Sequence, residues 1–116
     1  MTTTLFGISN CDTIKKARKW LNEKDIHYVF HDYRKEGIDK TWLEETEKRL
    51  GWEQMLNKRG TTFRQLDEAQ KANLDKDSAL ELMLKQPAMI KRPILIDNGN
   101  YALGFKPQDY TEFFAK

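Results

Sequence analysis

Cysteine occurs once in this sequence, proline three times and glycine six times in 116 residues. A single cysteine excludes an internal disulfide framework and an all-cysteine metal site. It leaves a choice between an inert buried thiol and a reactive one. No apolar run approaches the roughly 20 residues that a membrane-spanning helix needs. Charge of one sign does not dominate either: 20 lysines and arginines face 18 aspartates and glutamates, interleaved along most of the chain, for a net charge of +2. That balance reads as a solvated mixed surface and gives no argument for direct nucleic-acid binding. The opening Met-Thr-Thr-Thr-Leu-Phe has neither the basic region nor the apolar stretch of a signal peptide. The expectation is a cytoplasmic protein with no membrane partner.

What is present fits a globule rather than a disordered tail, since 39% of the residues are apolar and 33% charged. The length suits one domain over residues 1–116, built around one hydrophobic core. Residues 4–8, Thr-Leu-Phe-Gly-Ile, read as a short buried strand. After Ser9-Asn10 the period becomes helical. Ile14, Ala17 and Leu21 share one face with Trp20 beside them, and Lys15, Lys16, Arg18 and Lys19 take the other positions. This helix is expected to end near Lys24, and His27–His31 reads as a second strand. A β-α-β unit favours parallel strands joined by a right-handed crossover.

From about 38 to 90 the pattern is helical. Asp39 suits an N-cap, Gly51 a stop, and Trp52, Met55 and Leu56 a further turn. A polar loop at residues 57–62 precedes helical signals at Arg64–Lys71 and Ser78–Lys85, and Pro87 interrupts the second. Beyond it, Pro93–Ile96 reads as a strand. Asp97-Asn98-Gly99-Asn100 reads as a hairpin turn carrying the Asn-Gly signal, and Tyr101–Gly104 as the returning strand. Pro107 suits the first turn of a last helix that presents Tyr110, Phe113 and Phe114 to the core. The expected architecture is a two-layer α/β fold with a mixed sheet, β-α-β followed by β-β-α, with a helical insertion between them.

Cys11 falls where the first strand gives way to the first helix. A helix start carries unpaired N–H groups and the positive end of the macrodipole, and both favour a thiolate. Lys15, one turn on, adds positive charge, Thr13 supplies a hydroxyl, and the same N–H groups suit an oxyanion. His27 and His31, placed on one strand face, leave two metal ligands missing, so no metal site is expected.

The segment Ser9-Asn10-Cys11-Asp12-Thr13-Ile14-Lys15-Lys16-Ala17 resembles the active-site turn of the glutaredoxin-linked arsenate reductases (ArsC) and of the Spx regulators. Met89-Ile90-Lys91-Arg92-Pro93-Ile94-Leu95 resembles that family's Arg-Pro strand entry. The Asn57-Lys58-Arg59-Gly60 loop and the Gly104-Phe105-Lys106-Pro107 segment fit as well. The resemblance spans essentially the whole chain and points to the YffB branch. It implies a thioredoxin-like fold with a helical insertion and a cis proline at Pro93 facing the cysteine. It implies Cys11 as the one nucleophile, with no bound cofactor, glutathione as co-substrate and glutaredoxin as a further partner. Asn10, Thr13, Lys15, Arg59, Arg92, Pro93 and Lys106 are the implied substrate- and glutathione-binding residues.

Three positions depart from the reductases of that family, which carry arginine where this chain has Asn57 and Lys106, and histidine where it has Gly7. Lysine offers a point charge instead of a bidentate fork, so weaker oxyanion binding is expected. Ile14 occupies the position of the second cysteine of the Spx Cys-x-x-Cys switch, which removes that switch. The function expected is a glutathione-dependent thiol reductase. The alternatives are a non-enzymatic regulator that binds RNA polymerase, as Spx does, a genuine arsenate reductase, and a redox-inert domain.

Overall fold

The computed structural model describes residues 3–115. The chain divides into two compact units, one running up to Glu36 and resuming at Arg92, the other Gly37–Lys91.

The first unit is a four-stranded sheet with helices. Strand β1 (Thr3–Gly7) leads through helix α1 (Asp12–Glu23) to β2 (Val29–Asp32) and a single helical turn, α2 (Tyr33–Glu36). After the second unit the chain continues as β3 (Ile94–Asp97), β4 (Asn100–Leu103) and α8 (Pro107–Phe114). The strand order is β2-β1-β3-β4. β1 pairs with β2 in parallel, from Thr4↔Val29 to Gly7↔Asp32, and with β3 antiparallel, from Thr3↔Asp97 to Phe6↔Ile94. This is the mixed sheet of the expected thioredoxin-like order.

The core of this unit gathers Leu5, Ala17, Leu21, Leu95 and Tyr110, with Trp20, Phe30, Phe105, Phe113 and Phe114 packed around them. The apolar period of α1 accounts for its share, since Ile14, Ala17 and Leu21 are all fully buried. In the β3–β4 turn Asn98 and Gly99 both take positive φ, 49° and 81°, as a two-residue hairpin of the Asn-Gly kind requires.

The second unit is helical: α3 (Lys40–Leu50), α4 (Trp52–Met55), α5 (Thr61–Arg64), α6 (Glu68–Ala72), α7 (Lys76–Lys85) and a 3₁₀ turn at Pro87–Met89. Asp39 caps α3 by accepting the Trp42 N–H, and Gly51 ends that helix. Leu43, Met55, Leu56, Ala79, Met83, Met89 and Ile90 are buried. Lys91 N–H donates to the Met55 carbonyl and Asn57 N–H to the Met89 carbonyl, each at 2.7 Å, which closes the unit on itself.

Several boundaries differ from the expected ones. β2 begins at Val29, so His27 lies before the strand and does not share a strand face with His31. The signal at Arg64–Lys71 resolves into two short helices, because the Asp67 carboxylate accepts the Gln70 N–H while the Gln70 side chain takes the Asp67 N–H; this capping box restarts the helix. Asp75 and Ser78 form a second such box and start α7 at Lys76, two residues earlier than expected.

Candidate active site

Cys11 is the N-cap of α1, with extended backbone angles of φ −84° and ψ 131°. Its N–H donates to the Ile8 carbonyl at 3.1 Å, and its carbonyl accepts from Lys15 N–H at 3.0 Å, so the residue closes the turn and opens the helix. The side chain is half-buried. The sulfur does not close the short cap bond that an Asp or Ser oxygen makes there. It lies instead in the field of the free N–H groups of the first helical turn. Burial pushes the thiol up. The Ile14 N–H, a hydrogen bond from the Arg92 side chain, the Thr13 N–H and the Arg92 charge together outweigh it, and hold Cys11 below the usual cysteine range.

Arg92 reaches this position because β3 runs antiparallel to β1. Phe6 pairs with Ile94, so the residues entering β3 stand beside the end of β1. The Arg92–Pro93 peptide bond is cis, as the family resemblance implies, and Pro93 is buried with its carbonyl accepting from Gly104 N–H at 2.8 Å. A Cβ built on Gly7 would stand 3.7 Å from the Arg92 Cβ, and would press on the Ile14 side chain. The first turn of α1 therefore lies against β1 with no room between them.

Of the residues expected at the site, the structure brings Cys11, Thr13 and Arg92 together through the sulfur. Asn10 is exposed in the turn just before Cys11, and Lys15 is exposed on α1. Lys106 is the exposed N-cap of α8. Arg59 belongs to the second unit, on an exposed turn where its N–H donates to Asn57 Oδ1 at 3.3 Å. Among the described residues no group of three or more His, Cys, Asp and Glu side chains is placed to hold a metal ion, and no helix is long and apolar enough to cross a membrane.

Two residues escaped the sequence reading. Asp32, which is buried, accepts Ser9 N–H at 3.3 Å and Arg34 N–H at 2.8 Å. Tyr33 is buried too; burial pushes its phenol well up, and the nearby positive charge of Arg92 opposes that rise. An aspartate at the end of an apolar strand, followed by a helical turn, is the only signal the sequence carries for this pair.

The ArsC family model matches residues 6–113. A solved structure named YffB is 54% identical and superposes with a TM-score of 0.91, covering 96% of this chain and 97% of its own. An arsenate reductase (ArsC) related protein from Brucella melitensis is 53% identical, with a TM-score of 0.80 over 98% of this chain and 95% of that one. Among curated proteins, the global transcriptional regulator Spx of Listeria innocua is 29% identical over 97% of this chain and 87% of its own length.

Proposed function

Because this chain belongs to the ArsC family, we propose that it is a glutathione-dependent thiol reductase working through Cys11 alone. The observation that carries this reading is the setting of the sulfur, where helix-start N–H groups and Arg92 favour the thiolate. A thiolate at neutral pH is the attacking species in disulfide exchange.

The chemistry closes with one cysteine if a second thiol is supplied. The Cys11 thiolate attacks the glutathione sulfur of a mixed disulfide R–S–S–G. The old S–S bond breaks, a Cys11–glutathione disulfide forms, and R–S⁻ leaves and takes a proton. A second glutathione thiolate then attacks the glutathione sulfur of that adduct, releasing glutathione disulfide and restoring the Cys11 thiolate. Overall, R–S–S–G and one glutathione thiol become R–SH and glutathione disulfide: the R sulfur is reduced and the added glutathione is oxidised. No other cysteine exists in the chain to resolve the adduct, so an external thiol must do so. The glutathione carboxylates offer partners to Arg92, Lys15 and Lys106, with Asn10, Thr13 and the backbone at Pro93 lining the approach. Glutaredoxin is a second candidate for clearing the adduct. Glutathione keeps thiols reduced in the cytoplasm, which is where this chemistry belongs.

Arsenate is a poorer fit. Lys106 and Asn57 stand where the family's arsenate reductases have arginines, and a dianion must be held while sulfur attacks. The test is a steady-state comparison of a glutathione mixed disulfide with arsenate, with glutathione and glutaredoxin supplied. The expected result is disulfide turnover that needs glutathione, little arsenate turnover, and none of either in Cys11→Ser. Turnover in Cys11→Ser sinks the mechanism, and efficient arsenate reduction reassigns the substrate.

A second reading, a regulator that acts by binding RNA polymerase, is favoured by the likeness to Spx. Ile14, fully buried where the second switch cysteine would be, removes redox switching but not binding. Capture of RNA polymerase from cell extract, with no disulfide turnover, would favour it.

A further inference from the structure

β2 ends beside the reactive turn, since Gly7 of β1 pairs with Asp32. Asp32 is 4% exposed, and a carboxylate that buried has to be compensated. Its partners are N–H and O–H groups. Oδ2 accepts from Ser9 N–H at 3.3 Å and Oδ1 from Arg34 N–H at 2.8 Å, and the Ser9 hydroxyl and the Lys35 N–H also donate to it. The bonds to Arg34 and Lys35 start α2, a task that an exposed aspartate performs equally well. The bonds to Ser9 do something else. Ser9 lies two residues before Cys11, in a turn closed by the bond from Cys11 N–H to the Ile8 carbonyl.

We propose that Asp32 is a positioning residue for Cys11: its buried carboxylate clamps Ser9, and so fixes the turn that presents the sulfur to the N–H groups of Thr13 and Ile14 and to Arg92. The proposal rests on the reading of Cys11 as an activated nucleophile. It has a sign that separates it from a plain charge effect. A nearby negative charge disfavours a thiolate, so an aspartate acting only through its charge would, when removed, leave Cys11 more reactive. A clamp, when removed, leaves it less reactive. The other ionisable groups around these residues are Glu36, whose Oε2 accepts the Asp32 N–H at 3.1 Å, His31, 3.9 Å from Glu36, Arg34 and Lys35 on α2, Asp12 and Lys15 at the start of α1, and Arg92 at the sulfur. All stay in place in the variants below.

The experiment is iodoacetamide alkylation of Cys11 across pH in the full chain. Asp32→Ala is expected to react about fivefold more slowly at pH 7, the scale of one lost helix-terminus interaction, with the inflection moved upward. Since Asp32→Ala leaves four donors without their acceptor, Ser9→Ala serves as the second variant. It removes only the hydroxyl contact and keeps the charge and the fold, and is expected to slow alkylation about twofold. Alkylation of a folded Asp32→Ala at or above the wild-type rate overturns the proposal. Ser9→Ala reacting faster than wild type overturns it as well, whereas a wild-type rate there places the clamp on the Ser9 N–H bond, which Ser9→Ala keeps. The readout uses no disulfide substrate. Absence of wild-type disulfide turnover would therefore refute the reductase reading while these rates still decide the role of Asp32.

Discussion

Replacing Gly7 by alanine tests whether the close seating of α1 on β1 sustains both the fold and the thiol. An ideal Cβ at this position falls 2.8 Å from Ile14 Cγ1 and closer still to Cδ1. Ile14 is 0% exposed, so its side chain has no open space to swing into, and the helix start or the strand must give way. Overpacking of this kind costs about 1–3 kcal/mol. The added methyl also stiffens the unfolded chain, which returns about 0.4–1 kcal/mol. The net loss expected for Gly7→Ala is thus about 1–2 kcal/mol, read as a urea midpoint lower by roughly 0.5–1 M for a chain of this size. Ile14 also donates its N–H toward the Cys11 sulfur, so the same displacement should slow alkylation. Ile14→Ala vacates the contested space at a cost of about 2–5 kcal/mol when made alone. Combined with Gly7→Ala, it should cost less than the sum of the two by about 1–2 kcal/mol, the coupling of residues in contact. A neutral or stabilising Gly7→Ala, or strict additivity of the pair, would show that α1 moves freely against β1 and would refute the reasoning.

Two further outcomes follow from the groups around the sulfur. Arg92→Ala should slow Cys11 alkylation at pH 7 about three- to tenfold, a charge-assisted contact discounted for the half-exposed sulfur, and Arg92→Lys should fall between, keeping charge without the fork; unchanged rates with a native circular dichroism spectrum would leave Arg92 a structural role only. Burial pushes the Asp32 carboxyl up, but the N–H of Arg34, the hydroxyl and N–H of Ser9 and the N–H of Lys35 hold it below the usual carboxylate range. Its stabilising contribution is then complete above the unfolded-state value of about 3.9 and is lost as pH falls through the lower folded-state value. Urea midpoints should drop in acid below about pH 4, and Asp32→Asn should flatten that limb; an identical acid limb in both proteins would remove Asp32 from the balance.

The elements legible in the sequence were those whose signal is local. The α1 face of Ile14, Ala17 and Leu21, the Asn98-Gly99 turn, the Asp39 cap and the helix start at Pro107 each depend on residues within a few positions of one another, and each appears where the pattern puts it. His27 and the stretch from Arg64 to Lys71 misled for the same reason. Aromatic and β-branched neighbours suggested a longer β2, and unbroken helix formers hid the restart at Asp67. Cys11 was legible because a strand-to-helix junction is itself a local feature. Its surroundings were not, because they depend on register. β1 lies between a parallel neighbour and an antiparallel one. The parallel strand therefore ends where β1 ends, delivering Asp32 to one flank of the Cys11 turn. The antiparallel strand begins there, delivering Arg92 to the other. An acid that holds the turn and a base that faces the sulfur, 60 positions apart in the chain, arrive at the same end of the sheet only because the two pairings have opposite sense. Gly7 gains its meaning in the same way. In sequence it is a departure from the histidine of the arsenate reductases that this chain resembles, whereas in the fold it is the gap that Ile14 fills, and a histidine there would have to displace the helix start that Cys11 caps.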